Sequence, residues 1–257
     1  VRYGGDTSSV EVTATDGSTL VLDAGSGIVH ANCANRNTGR IDILLTHLHM
    51  DHIQGLGFFG PLFEPDVEVH MWGPVSTSKT LTARLARYLS PPLFPVRLRD
   101  LPSLTVHDLA PGSFDIGPFT VMADFVIHPG QTFGYRIESG GRSLTYLPDH
   151  EPALGPGHIP SDPRWTSGYS LAAGADVLIH DAQYTDEEYP DRVGWGHSSL
   201  TQALDFAQLA DVEKLVTFHH EPNHSDAAID SHHAEVRARR ASSIPFEPGL
   251  AGASLDI

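Results

Sequence analysis

Ile41-Asp42-Ile43-Leu44-Leu45-Thr46-His47-Leu48-His49-Met50-Asp51-His52 decides how this chain is read. A short apolar run of strand character breaks off into four potential metal ligands within six residues, His47, His49, Asp51 and His52. A buried strand has no packing reason to end this way. Imidazole and carboxylate together suit a borderline divalent metal, zinc first, with manganese or iron as alternatives.

Further out, other candidate ligands stand just after apolar runs. His128 follows Phe125-Val126-Ile127, Asp149 follows the run ending at Leu147, and His219 follows Leu215-Val216-Thr217-Phe218. Strand ends are held firmly while the next loop faces solvent or a cavity, which suits ligand placement. Seven candidates exceed the four that one zinc uses, so two ions sharing a carboxylate are expected. His220, beside His219, is the rival for the last position.

The 257 residues carry 32 acidic and 16 basic side chains, a formal charge of −16, with Lys79 and Lys214 the only lysines. Proteins that grip long nucleic acid draw much of their affinity from basic surface. Large nucleic acid is therefore not the expected partner, whereas a small phosphate ester remains open because metal ions supply local positive charge. No apolar run approaches the roughly 18 residues that span a bilayer, so no membrane partner is expected. Cys33 is the single cysteine, which excludes an internal disulfide and fits a reducing, cytoplasmic location. The chain begins at Val1 without methionine, so a truncated N-terminus is expected.

Alternation over 10–15, a turn at Asp16-Gly17 and a return over 19–23 predict a β-hairpin. Strands are predicted over 41–46, 67–72, 104–109, 119–127, 133–138, 143–147, 177–180 and 214–218. Helices are predicted over 53–59, 76–89, 200–209 and 227–240. No repeat or linker divides the sequence, so a single domain over 1–257 with α/β layered architecture is expected. The turn Asp23-Ala24-Gly25-Ser26-Gly27 lacks the lysine of a P-loop and is expected to bring backbone close to the metal site.

These segments together resemble the metallo-β-lactamase fold superfamily, whose His-x-His-x-Asp-His signature stands here as His47, His49, Asp51 and His52. The resemblance extends over about residues 4 to 226 and is strongest to the ribonuclease Z-like phosphodiesterase branch. It is carried by His128-Pro129-Gly130 with the following Gly134-Tyr135-Arg136-Ile137, and by Tyr146-Leu147-Pro148-Asp149. His180-Asp181-Ala182 resembles a His-Glu-Ala-Thr segment, with aspartate in place of glutamate, and His197-Ser198-Ser199 resembles a His-Ser-Thr segment. The resemblance implies an αββα sandwich of two mixed β-sheets flanked by helices. It implies that His47, His49 and His128 hold one metal, Asp51, His52 and His219 a second, and that Asp149 bridges them. Two such ions lower the pKa of a shared water, and the hydroxide attacks phosphorus. Asp51 is expected to orient that nucleophile. His197 is the candidate acid for the leaving oxygen, with Asp181 fixing its tautomer, although aspartate is one methylene short for that pairing.

The expected function is thus a dinuclear metal-dependent phosphodiesterase acting on a small, cyclic nucleotide-like phosphodiester. Alternatives are a ribonuclease Z-type tRNA 3′ endonuclease, and a lactone or carboxylic ester hydrolase on the same metal site. The first alternative is opposed by the acidic charge and by the short stretch 152–170 where that group carries a long arm. Phe58, Phe59, Leu62, Phe63 and Phe94 are expected to form an apolar patch suited to a homodimer.

Overall fold

The structure, a computed structural model, describes residues 2–32, 39–154, 159–160, 162–240 and 244–257. Cys33 and His158 lie outside the described residues. The chain divides into two compact units, Asp6–Phe119 and Val1–Gly5 with Thr120–Ile257.

In the unit Asp6–Phe119, strands β1 (Val10–Thr13) and β2 (Thr19–Leu22) form the predicted antiparallel hairpin. It turns at Gly17, whose φ of 86° suits glycine. Strand β3 (Arg40–Leu44) pairs parallel with β2, and β4 (Glu68–Pro74) and β5 (Leu104–Leu109) continue in parallel. The result is a five-stranded mixed sheet in sequence order. Beneath it a core built on Val21, Ile43, Leu45, Leu56, Met71, Leu81 and Leu85 is fully closed to solvent.

The helices of this unit are shorter than their periodicity predicts. Helix α1 spans Met50–Ile53 and passes into a 3₁₀ turn, Gln54–Phe58, in place of one helix over 53–59. A Cβ on Gly55 would stand 2.0 Å from the Gly25 carbonyl oxygen, so the segment is drawn against the neighbouring turn. Helix α2 spans only Leu81–Leu85, capped by Thr80 accepting from the Ala83 amide. Ser76 and Ser78 bond to one another instead of entering a helix, as hydroxyl side chains near a helix start commonly do. Of the expected aromatic patch, Phe59 and Leu62 are core, whereas Phe58 is 75% exposed.

A seven-stranded mixed sheet has the order β12-β11-β10-β9-β8-β7-β6. Its strands are β6 (Gly112–Ile116), β7 (Phe119–Phe125), β8 (Phe133–Ser139), β9 (Arg142–Leu147), β10 (Val177–Asp181), β11 (Lys214–Phe218) and β12 (Phe246–Pro248). Strands β7, β8 and β9 run antiparallel, and β9, β10, β11 and β12 run parallel. Strand β10 is buried at every position, as a central strand covered on both faces must be. Helix α3 (Tyr169–Ala172) is a single turn, while α4 (Leu200–Leu209) and α5 (Asp226–Arg239) follow their predicted spans closely. A second core gathers Leu147, Leu171, Leu178, Leu204, Phe206 and Leu215. Strands β6 and β12 escape sequence reading, being short, and β6 is mostly exposed. Among the described residues, no helix is long and apolar enough to cross a membrane.

Candidate metal centre

In the unit Asp6–Phe119, the chain leaves β3 through Leu45 and Thr46 and turns at His49 into α1. This places His47, His49, Asp51 and His52 on one short arc. The rings of His47 and His49 meet edge-to-face at 4.4 Å, and His47 and His52 lie 4.2 Å apart. The His52 Nε2 stands 3.4 Å from Asp51 Oδ2. His47 and His52 are buried, while His49 is exposed.

Asp23, whose role sequence reading did not single out, organises this arc. Its fully buried carboxylate accepts from the Thr46 amide at 2.7 Å and from the Thr46 hydroxyl, and pairs with His52 Nδ1 at 2.8 Å. A carboxylate only accepts, so His52 carries its proton on Nδ1 and presents the Nε2 lone pair. Backbone bonds from Ala24 to the His52 oxygen and from Gly55 to the Ala24 oxygen zip the glycine-rich turn to α1. A Cβ on Gly25 would fall 2.3 Å from the Asp51 oxygen, so the close backbone approach expected of this turn is present.

In the other unit, the carboxyl-terminal ends of the parallel strands β9, β10 and β11 bring forward Asp149, Asp181 and His219, the end at which open α/β sheets bind ligands. His128 Nε2 lies 3.6 Å from Asp149 Oδ2, and His219 Nε2 lies 3.5 Å from Asp149 Oδ1. His219 adopts a left-handed backbone, φ 55°, a conformation sparsely used by non-glycine residues and concentrated at functional sites. The geometry thus brings His219, rather than His220, to Asp149. The His220 ring packs instead against Tyr3 and His233, and burial pushes its pKa down to about 4.

Asp181 and His197 meet despite the shorter side chain, with His197 Nδ1 at 2.5 Å from Asp181 Oδ2. The other carboxylate oxygen accepts from the Ser198 and Gln183 amides, each at 3.0 Å, so the group is locked and fully buried. His197 therefore donates from Nδ1 and leaves Nε2 for chemistry. Its ring stacks on His219 at 5.0 Å and meets His128 edge-on at 5.0 Å. Tyr184 lies edge-on to His197, and burial together with the Asp181 charge pushes its pKa up to about 12.

Glu151 is a second group that no spacing signal announces. Fully buried, it accepts from the Tyr189 hydroxyl at 2.6 Å and from the Gly194 and Gly196 amides at 3.0 Å. It thereby fixes the loop leading to His197, while the Gly196 oxygen accepts from His128 Nδ1 at 2.9 Å. His150 turns away from Asp149. It pairs with His180 at 2.8 Å, and His180 in turn donates to the Asp181 carbonyl. Burial pushes the pKa of both rings down, which keeps them neutral. Arg136 bonds Glu138 and the Leu171 and Ala173 carbonyls, a structural role.

The donors fit divalent metal within each unit. In the first, His47 with His49, and Asp51 with His52, offer ligand atoms within 4.8 Å of each other. In the second, the same holds for His128 with Asp149, Asp149 with His219, and the trio Asp181, His197 and His219. The Nδ1 atoms of His47, His52 and His128 are engaged by Thr46, Asp23 and the Gly196 carbonyl. That arrangement is how proteins orient imidazole for coordination through Nε2.

Fold and donor chemistry together define the class, a metallo-β-lactamase-fold hydrolase. The model of the beta-lactamase superfamily domain matches residues 18–220, and the chain belongs to that superfamily, in its ribonuclease Z-like branch. It is 29% identical over 251 residues to ribonuclease Z of Mycobacterium sp. (strain KMS), covering 89% of this chain and 82% of the relative. Among solved structures it resembles the metallo-beta-lactamase fold protein YhfI from Bacillus subtilis, with TM-score 0.69 and 19% identity over 98% of this chain and 95% of the other. It also resembles a diphosphatase of the PhnP family, with TM-score 0.63 and 22% identity over 94% of this chain and 82% of the other.

Proposed function

We propose that this protein is a dinuclear metal-dependent phosphodiesterase acting on a small phosphodiester of the cyclic-nucleotide kind. In this reading His47, His49 and His128 hold one divalent ion, Asp51, His52 and His219 a second, and Asp149 serves both. Zinc suits these donors, with manganese or iron as alternatives. When bound, two such ions supply positive charge for the phosphate oxygens and acidify a shared water. The remaining work falls to side chains. Asp51 orients the attacking oxygen. His197 carries a proton on Nε2 and passes it to the departing oxygen, while Asp181 steadies the charged imidazolium.

The observation that carries the phosphoester reading is the 2.5 Å contact between Asp181 and His197. An alkoxide leaving group needs a proton, and an imidazole oriented by a carboxylate is a side chain suited to deliver one. The test is turnover of bis(p-nitrophenyl) phosphate and a panel of cyclic nucleotides by protein loaded with zinc, manganese or iron. Silence with all three metals would sink the proposal.

A second reading, tRNA 3′ processing, is favoured by the 29% identity to ribonuclease Z. Between Asp149 and Tyr169 the chain carries one arginine, Arg164, already paired with Asp162. Salt-sensitive, submicromolar tRNA binding would favour this reading over the first. Hydrolysis of lactones without any phosphodiester turnover would shift the assignment to carbon esters.

A further inference from the structure

A cavity of about 520 Å³ lies in the unit Asp6–Phe119, lined by Asp6, Ser26, Val29, Gln54, Phe58 and Tyr88. Its volume falls within the roughly 300–1,000 Å³ common for small-molecule sites. Gln54 and Phe58 belong to the 3₁₀ turn that begins two residues after His52, so the cavity borders the segment that bears candidate ligands. Phe58 is 75% exposed and Val29 45%, so both present apolar surface at the opening.

The walls are cross-linked. The Tyr88 hydroxyl donates to the Gln54 carbonyl at 2.7 Å, and Gln54 Nε2 donates to Thr7 Oγ1 at 2.9 Å. The Ser26 amide donates to the same threonine oxygen, and the Ser26 hydroxyl donates to Asp6 Oδ1 at 3.0 Å. His30 Nε2 stands 3.5 Å from the other Asp6 oxygen. Gly55, also in the lining, packs closely on the Gly25 carbonyl. A site held this way loses little ordering entropy when it is filled.

The chemistry of the lining selects its occupant. Among the described residues no lysine or arginine lines the cavity, so those that line it offer the phosphate no cation. A lining that offers both the Phe58 ring and the Asp6 carboxylate suits a planar ring that donates N–H groups at its edge. Adenine and cytosine present an exocyclic amine on that edge, whereas a base with a carbonyl there sets oxygen against oxygen. Resting on the phosphodiesterase reading above, we propose that this cavity receives the nucleobase of the substrate and prefers bases with an exocyclic amine.

The test is calorimetric titration of adenosine, cytidine, inosine and uridine into metal-loaded protein, into Phe58→Ala and into Asp6→Asn, with thermal melts confirming the fold of each variant. Wild type is expected to bind adenosine and cytidine more tightly than inosine and uridine. Loss of base stacking in Phe58→Ala should weaken adenosine about tenfold or more, and Asp6→Asn should erase the discrimination. Absence of nucleoside binding, or undiminished binding by Phe58→Ala, overturns the proposal. So does a Phe58→Ala effect confined to sedimentation, which would mark the patch as a contact between copies. Nucleosides carry no phosphate, so failure here beside continued bis(p-nitrophenyl) phosphate turnover by wild type leaves the phosphodiesterase reading intact.

Discussion

Asp23 sits in the left-handed region at φ 59° and is shut off from solvent, yet its carboxylate faces Thr46 and His52. Backbone strain of this kind costs on the order of 1–3 kcal/mol and persists where surrounding structure demands it. Here the demand is the orientation of His52. Asp23→Ala removes the acceptor that fixes the Nδ1 proton, so His52 loses both tautomer and ring orientation. Metal affinity should drop about 10–100-fold, the usual effect of losing such a partner, with competition against a chromogenic chelator as the readout. Undiminished affinity would mean that His52 is held by packing alone. Neither Asp23 nor Glu151 was legible as part of the site, because a carboxylate that acts through hydrogen bonds has no spacing rule. The ligand candidates themselves were legible, since imidazoles and carboxylates at successive strand ends have few structural explanations.

The elements show where periodicity carries information and where it fails. Helix α4 follows its predicted span, and the structure shows Ser199 and Gln202 closing its start with a reciprocal capping box. Helix α2 was overestimated because the apolar spacing at Leu81, Leu85 and Leu89 continues past the α-helix into tighter turns, where Tyr88 bonds back to Leu85. The loop before α4 depends on Gly196, whose φ is 85° and whose added Cβ would stand 2.4 Å from His128 Nδ1. Gly196→Ala should displace His128 and lower metal content, read by elemental analysis, along with the melting temperature. Helix α5 is tied to β11 through buried His233, which donates from Nδ1 to the Ile229 carbonyl and accepts from the Thr217 hydroxyl at Nε2. Burial pushes its pKa from 6.5 down to about 4. Below pH 6.5 the unfolded chain takes up a proton that the folded chain refuses until pH nears 4. Stability therefore falls as pH drops through that window, by roughly 3 kcal/mol from this ring. Urea midpoints measured between pH 7 and 4.5 should fall less steeply in His233→Gln, and an unchanged slope would show that this ring is not the source.

At the scale of the whole molecule, charge separates the two phosphodiester readings that the residues leave together. The donors proposed to hold metal, with His197 beside them, would serve a cyclic nucleotide or a tRNA precursor equally, so site residues alone do not choose. Binding does. A protein that neutralises several phosphates shows a steep fall of log affinity with log salt, about 0.9 per phosphate on duplex nucleic acid. This chain has 16 basic residues against 32 acidic ones. Many of the basic side chains are already committed, among them Arg40 to Asp42, Arg136 to Glu138, Arg142 to Asp176 and Lys214 to Glu247. Asp176, held at about 2 chiefly by its bond from Arg142, shows how firmly such a pair can be made. Long-range repulsion from the net negative charge acts against a polyanion and far less against a singly charged cyclic phosphodiester, which must approach only the local field of bound metal. Filter binding of precursor tRNA at about 150 mM salt should therefore give dissociation constants no tighter than the roughly 10⁻⁶ M typical of non-specific contact. A cyclic nucleotide should be turned over with little dependence on salt. Nanomolar tRNA binding with a steep salt slope would reverse that order and make ribonuclease activity the reading to pursue.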